Sequence, residues 1–178
     1  MNAAVTPPVP EEAEVDGRSV RWFLEGVERS SEPARAAAET ALAERGAGSP
    51  DDGEWYPFAA LLAAVEAVGE SAGGEALAAA GRHCGATLSP GGATVPEVLG
   101  ALEDAYRRHH RGAAGGYAFR QIGPQDGRVE CATPYPCVFD RAVVARVAES
   151  AADGVVCLSE ASTCRADGAT RCTYELTW

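Results

Sequence analysis

The sequence predicts an α+β fold, in which helices pack on one face of a small antiparallel sheet. Apolar residues follow helical spacing over most of the first 110 positions, and a strand-like alternation begins near residue 117. The predicted order is helices, a strand pair, a helix and a second strand pair, which is typical of α+β proteins. A chain of 178 residues is long enough for one domain with a buried core.

The first helices follow a polar leader. Residues 1–16 are rich in Pro and Glu and are predicted to be disordered, so that a single domain spans residues 17–178. A helix is predicted from Arg18 to Leu42, and its apolar positions recur every three or four residues: Val20, Phe23, Leu24 and Val27.

The helical half continues to residue 111. Pro57 suits the first turn of a second helix, and the Gly73–Gly74 pair is predicted to break it. A short Ala-rich helix over 75–83 and a further helix over 95–110 follow a similar pattern. The apolar face of the second helix consists of Leu61, Leu62, Val65 and Val68.

The remaining part, residues 117–178, is predicted to hold the sheet and one amphipathic helix. Its strands alternate apolar and polar residues, and a Gly- and Pro-containing turn joins the first two. The predicted strands cover 117–122, 128–133, 155–159 and 172–178, and the helix covers 138–151.

Composition excludes some classes of function. The net charge is −11 and all 15 Lys or Arg positions are Arg, so neither a basic nucleic-acid-binding surface nor lysine chemistry is expected. No apolar run approaches the length of a membrane span, and residues 1–14 do not resemble a signal peptide. We therefore expect a cytoplasmic protein with reduced cysteines.

Cysteines carry the most specific signal in the chain. Cys164 and Cys172 enclose a polar loop with Gly168 near its middle, and Glu160 precedes them. Thiolates and a carboxylate that meet from a helix start and a tight loop are suited to a tetrahedral zinc site, whereas the alternative is a set of buried free thiols. The cysteines of this part of the chain are Cys131, Cys137, Cys157, Cys164 and Cys172.

Other motifs are less specific. His109 and His110 are predicted to end a helix as a solvated basic terminus. The sequence has no P-loop, no GxSxG, no dinucleotide fingerprint and no HExxH motif. We therefore expect a binding domain rather than an enzyme, although a reductase activity stays open.

The C-terminal half of the chain resembles the 4-vinyl reductase domain family over roughly residues 50–178. That family shares a superfamily with haem-nitric-oxide-binding domains and TRAPP trafficking subunits. The similarity lies in the order of a hairpin, Tyr135-Pro-Cys137, a helix, Glu160, Cys164 and Cys172. It implies a structural zinc held by Cys137, Glu160, Cys164 and Cys172, as in phenol-sensing members. Glu160 precedes Cys164 by four residues instead of three, so Cys131 and Cys157 remain alternative fourth ligands.

The resemblance also implies a sensor or carrier with an interior pocket for a small hydrophobic or aromatic ligand, acting on a partner protein or as a homodimer. The alternative that the resemblance implies is a tetrapyrrole-handling protein: a haem binder with His109 or His110 as the axial ligand, or an accessory factor or reductase of chlorophyll-type biosynthesis. The segment Tyr135–Phe139 lacks the Ser and Arg of the superfamily's haem-gripping Tyr-x-Ser-x-Arg motif. A structural adaptor is a third interpretation. The expected pocket residues are Phe58, Tyr106, Tyr117, Phe119 and Phe139.

Overall fold

Helices and two antiparallel sheets make up the part of the chain that the computed structural model describes, residues 11–161 and 163–178. This is the α+β class that the sequence predicts. The helices are α1 (Gly17–Glu28), α2 (Glu32–Ala43), α3 (Phe58–Leu88), α4 (Val95–Gly100), α5 (Leu102–Arg107) and α6 (Cys137–Glu149). The strands are β1 (Glu14–Asp16), β2 (Trp55–Pro57), β3 (His110–Arg111), β4 (Tyr117–Gly123), β5 (Asp126–Cys131), β6 (Cys157–Glu160) and β7 (Cys172–Thr177).

The end of the predicted disordered leader is instead a strand. β1 is the central strand of a three-stranded sheet and pairs with β2 and β3. Val15 is fully buried, and the backbone N–H of Phe58 donates to the carbonyl of Ala13 at 2.9 Å. The prediction of disorder is therefore wrong for residues 14–16, because two apolar positions among the acids find partners far along the chain. Residues 1–10 lie outside the described part.

Two helices occupy the single predicted span from Arg18 to Leu42. Ser31 has an extended backbone and its hydroxyl accepts a hydrogen bond from the backbone N–H of Ala34 at 3.3 Å, which begins α2. Pro33 follows in the first turn, where its missing N–H costs nothing. These residues end one helix and begin another, so Pro33 marks a boundary and not a continuation.

A kink at Gly73 divides α3, as the Gly pair predicts. Gly73 has φ 72° and ψ −168°, which are not helical values, but the helix resumes at once and extends to Leu88. Its second half crosses α6 closely. An added Cβ at Gly81 would lie 2.6 Å from the carbonyl oxygen of Phe139, so only glycine permits this approach.

The predicted helix over 95–110 is shorter than expected. In the structure this segment forms two short helices, α4 and α5, and α5 ends at Arg107. His110 therefore lies in β3 and not at a helix end. His110 pairs with Val15 in the small sheet. This long-range pairing decides the conformation, and helical spacing cannot reveal it.

The second sheet has four antiparallel strands in the order β4-β5-β7-β6. Its inner face is apolar and includes the fully buried Val129, Tyr174 and Leu176. Its outer face carries ion pairs such as Arg128–Glu175 at 2.7 Å. Among the described residues, no helix has the length and apolar character that crossing a membrane requires.

Candidate functional site

Three of the predicted metal ligands come together in the structure. The Sγ atoms of Cys137, Cys164 and Cys172 are separated by 3.6 Å (Cys164 to Cys137), 3.8 Å (Cys164 to Cys172) and 3.0 Å (Cys172 to Cys137). We call these three residues the cysteine cluster. Tetrahedral zinc with bonds of about 2.3 Å holds sulfur atoms about 3.8 Å apart. Two of the separations are near that value and the third is shorter.

Each cysteine of the cluster is placed by a different local element. Cys137 is the first residue of α6 and Cys172 is the first residue of β7. Cys164 precedes a single 3₁₀ turn over Arg165–Asp167, and Gly168 ends this turn with φ 88°, a value that favours glycine. The loop between Cys164 and Cys172 therefore returns the chain so that the two thiols meet.

The three thiols of the cluster differ in their electrostatic surroundings. Burial raises the pKa of Cys137 and of Cys164, so both prefer the neutral thiol. Burial also acts on Cys172, but its contact with Cys137 Sγ and the hydrogen bond from the backbone N–H of Arg165 outweigh it, so the pKa of Cys172 lies below its ordinary value. A metal ion would supply the positive charge that ionises the thiols of the cluster.

The candidates for a fourth ligand differ in position. A Glu160 carboxylate oxygen lies within 4.8 Å of Cys164 Sγ and of an Asp167 oxygen, on the exposed side of the cluster. Cys131 is buried opposite Cys172 in the sheet, outside the close group of three. Cys157 is exposed and pairs with Thr177, at the end of β7 that lies roughly 17 Å from Cys172. The structure thus separates Cys157 from the cluster.

A buried ion pair lies beside the cluster. Arg165 Nη2 donates to Asp140 Oδ2 at 2.6 Å and to the carbonyl oxygen of Tyr135 at 2.7 Å. Asp140 is fully buried and also accepts hydrogen bonds from the hydroxyls of Tyr117 at 2.7 Å and Thr133 at 2.7 Å. These partners satisfy the carboxylate, which a buried charge requires. We did not expect either charged residue from the sequence.

His110 is the polar centre of an aromatic cluster. Its Nδ1 lies 3.0 Å from the carbonyl oxygen of Tyr106 and therefore donates, which leaves Nε2 to accept from the hydroxyl of Tyr135 at 2.9 Å. Its ring stacks on Tyr106 at 3.9 Å and meets the edge of Phe58 at 5.0 Å. Burial lowers the pKa of His110 to about 3, so the ring is neutral at pH 7.

A cavity of about 40 Å³ adjoins His110. Its lining includes three of the five predicted pocket residues, Tyr106, Tyr117 and Phe139. Phe58 lies behind His110 and Tyr135 and does not line the cavity. Phe119 packs against Gly127 in the β4–β5 hairpin, away from this site. The cavity lies among α1, α3, α5 and α6, and His110 of β3 and Tyr117 of β4 complete its lining.

Helix residues that the sequence did not single out complete the cavity. Trp22, Cys84 and Leu88 line one side and are partly exposed, so this side is the mouth. Ser19 and Phe23 lie deeper. The spacing of Ser19, Trp22 and Phe23 on one helix face is a signal of burial, but it does not distinguish a cavity wall from a filled core.

His109 has a different environment from His110. Its Nδ1 lies 2.7 Å from Asp16 Oδ2, and its ring meets Trp22 edge-on at 4.8 Å. Asp16 is also the N-cap of α1, where it accepts from the backbone N–H of Ser19. His109 thus joins the small sheet to α1, and its ring does not line the cavity.

Comparison with known proteins identifies the fold and not a sequence family. No protein-family model and no curated protein sequence matches the chain.

Solved H-NOX structures are similar along almost the whole chain. A structure from a study of the function of haem distortion in the H-NOX family is similar, with a TM-score of 0.67 at 12% identity. The similarity covers 92% of this chain and 94% of that chain. An oxygen-binding H-NOX domain related to soluble guanylate cyclases, in its oxygen complex, has a TM-score of 0.65 at 13% identity over 91% and 94%. The H-NOX protein from S. oneidensis in the Fe(II)NO state has a TM-score of 0.66 at 13% identity over 90% and 97%. The chain therefore has the fold of the haem-nitric-oxide-binding domains.

Proposed function

We propose that this chain is a ligand-binding domain of the sensor type, in which the cavity beside His110 receives a small neutral molecule. The observation that carries the proposal is a buried, neutral histidine that faces an aromatic cavity with a partly exposed mouth. Small-molecule sites are commonly apolar, with a few polar groups that orient the ligand. His110 and Tyr135 are such groups.

The lining determines the class of ligand. The eleven lining residues include no Asp, Glu, Lys or Arg, so a charged ligand would lose its hydration without gaining a partner. A ligand hydroxyl would donate to His110 Nε2 in place of the Tyr135 hydroxyl, which would have to turn aside and could then donate to the ligand. A cavity of about 150 Å³ admits benzene, so a ring-sized ligand needs Trp22 or Leu88 to move outwards.

The cysteine cluster supports a second part of the proposal, a structural zinc held by Cys137, Cys164, Cys172 and Glu160. Four protein ligands leave no open coordination position, and such closed sites stabilise a fold instead of catalysing a reaction. The site would tie the start of α6 to β7. The zinc content of freshly purified, unchelated protein tests this part, and we expect one zinc ion per chain.

Haem is the second candidate. The fold favours a haem ligand, because this chain has the fold of the H-NOX domains and the structures named above include a study of haem distortion in that family. The residues here do not fit the group. The cavity of about 40 Å³ would have to expand far more for a macrocycle than for a single ring. None of the residues that line it is an Arg that would hold propionates.

A visible absorption spectrum and a melting series separate the two candidates. We expect no Soret band after incubation with hemin, and we expect phenol, toluene or cyclohexanol to raise the melting temperature. A ligand at a hundredfold excess over Kd stabilises by about 2.7 kcal/mol. His110→Phe should abolish the shift, whereas His83→Gln should keep it, because His83 contacts Glu25 at the surface. A Soret band that His110→Phe removes would make the haem candidate correct.

A further inference from the structure

The cysteine cluster and the cavity are joined through two charged residues. Arg165 directly follows Cys164 in the chain, and Asp140 lies one helical turn after Cys137 on α6. Whatever holds the two cysteines together therefore also sets the separation of Arg165 and Asp140. Both charged side chains are almost completely buried, at 2% and 0% exposure.

The ion pair contacts the cavity wall at two points. Arg165 Nη2 donates to the carbonyl oxygen of Tyr135, and the hydroxyl of that tyrosine donates to His110. Asp140 accepts from the hydroxyl of Tyr117, a second lining residue. Arg165 is thus connected to His110 Nε2 through Tyr135, which is hydrogen-bonded at its carbonyl (2.7 Å) and at its hydroxyl (2.9 Å).

We propose that Arg165 is a positioning residue that couples the cysteine cluster to the cavity. Metal binding by the cluster fixes the Arg165–Asp140 pair, which fixes Tyr135 and Tyr117 and so sets the hydrogen-bonding geometry of His110. The inference rests on the proposed metal site. Coupling of this kind is reciprocal, so a ligand in the cavity tightens metal binding by the same factor that metal tightens ligand binding.

The ring signals of the histidines test the coupling without any cavity ligand. The chain has three histidines, so His83→Gln and His109→Gln assign the ring resonances in an NMR spectrum. We expect zinc added to the metal-free protein to shift the His110 signal and to leave the His83 signal unchanged. If metal removal unfolds the protein, replacement of zinc by cadmium serves instead, because the larger ion moves the sulfur atoms and keeps the site filled.

Two arginine variants isolate the role of Arg165. In Arg165→Met the cluster should still bind zinc, but the His110 signal should no longer respond. Arg171→Met is the matched control, since Arg171 is exposed on the outer face of the sheet, pairs with Glu130 and should keep the response. If Arg165→Met does not fold, Tyr135→Phe tests the same step, because it removes only the hydroxyl that reaches His110.

Two results overturn the inference: a His110 signal that ignores bound zinc in the wild-type protein, or one that still responds in Arg165→Met. A protein that binds no zinc overturns it together with the metal site. The cavity proposal is judged separately, by the melting series with phenol, toluene and cyclohexanol.

Discussion

At the scale of single residues, burial and partners decide what each polar group does. His109 and His110 are neighbours in sequence, yet one pairs with Asp16 and the other is enclosed by aromatic rings. The second ring is held neutral because the site excludes the water that a charged ring needs.

The neutral state of His110 predicts a dependence of stability on pH. The pKa of His110 is about 3 in the folded protein and about 6.5 when unfolded, so below pH 6.5 the unfolded chain binds the extra proton. We expect the free energy of unfolding to fall as the pH decreases from 6.5 to 3, by about 4 kcal/mol from this group. Urea unfolding of His110→Phe across this range should show a smaller decrease; an equal decrease contradicts the prediction.

At the scale of elements, close backbone approaches determine how helices and strands meet. α3 and α6 cross where glycines face the α6 backbone, and β1 lies between two strands that are distant in sequence. Both contacts bring the walls of the cavity together. The spacing of apolar residues predicts the helices and strands. Which elements come into contact depends on where the side chains are small enough for two backbones to approach closely.

The helix crossing predicts the effect of one methyl group. Gly81→Ala places a Cβ 2.6 Å from the carbonyl oxygen of Phe139, which forces the helices apart and should cost about 1–3 kcal/mol. Gly74→Ala is the control on the same helix, because its Cβ would meet Val138 at an ordinary 3.9 Å. Chemical denaturation of both variants measures the difference. Equal stability of the two would show that the crossing has room for a methyl group.

Two truncations test the small sheet. Deletion of residues 1–10 removes none of the described contacts and should leave the melting temperature unchanged. Deletion of residues 1–16 also removes β1, with the buried Val15 and the carboxylate of Asp16 that caps α1. This deletion should lower the melting temperature markedly. If the two truncated proteins melt at the same temperature, residues 11–16 contribute nothing to stability and the prediction is wrong.

At the scale of the whole molecule, the cysteine cluster brings together three segments that are separate in the chain. It joins the start of α6, the loop after β6 and the start of β7, and the hydroxyl of Tyr174 adds a hydrogen bond to the carbonyl of Cys137 at 2.8 Å. The proposed metal would stabilise the arrangement of these segments, since binding energy at such a site is folding energy.

Loss of one cluster thiol should therefore destabilise the whole domain. We expect Cys164→Ser to lower the melting temperature strongly, and a chelator to lower that of the wild-type protein but hardly that of the variant. Cys157→Ser is the matched control, because Cys157 is exposed at the far end of the sheet. Calorimetry with and without chelator gives the comparison. A Cys164→Ser protein that melts like the wild type would mean that the thiol only fills space.

Part of the site could be predicted from the sequence and part could not. The spacing of Cys137, Cys164 and Cys172 on a helix start and a turn is local, and the structure brings these three together. Asp140 and Arg165 carry no local signal, because on the helix and in the turn they look like ordinary surface charges. Phe119, a predicted pocket residue, does not line the cavity beside His110, since alternation in a strand shows which face is buried but not what lies against it.

The sequence by itself determined the α+β class, most of the helices and strands, the break at Gly73 and the three cysteines of the cluster. These features depend on spacing, turn residues and side-chain chemistry within short segments. Only the tertiary structure decided that β1 is ordered, that α3 contributes to the cavity wall, and that His110 is the histidine turned towards the cavity. Those outcomes depend on contacts between residues far apart in the chain, such as Val15 with His110 and Gly81 with Phe139, which no local pattern encodes.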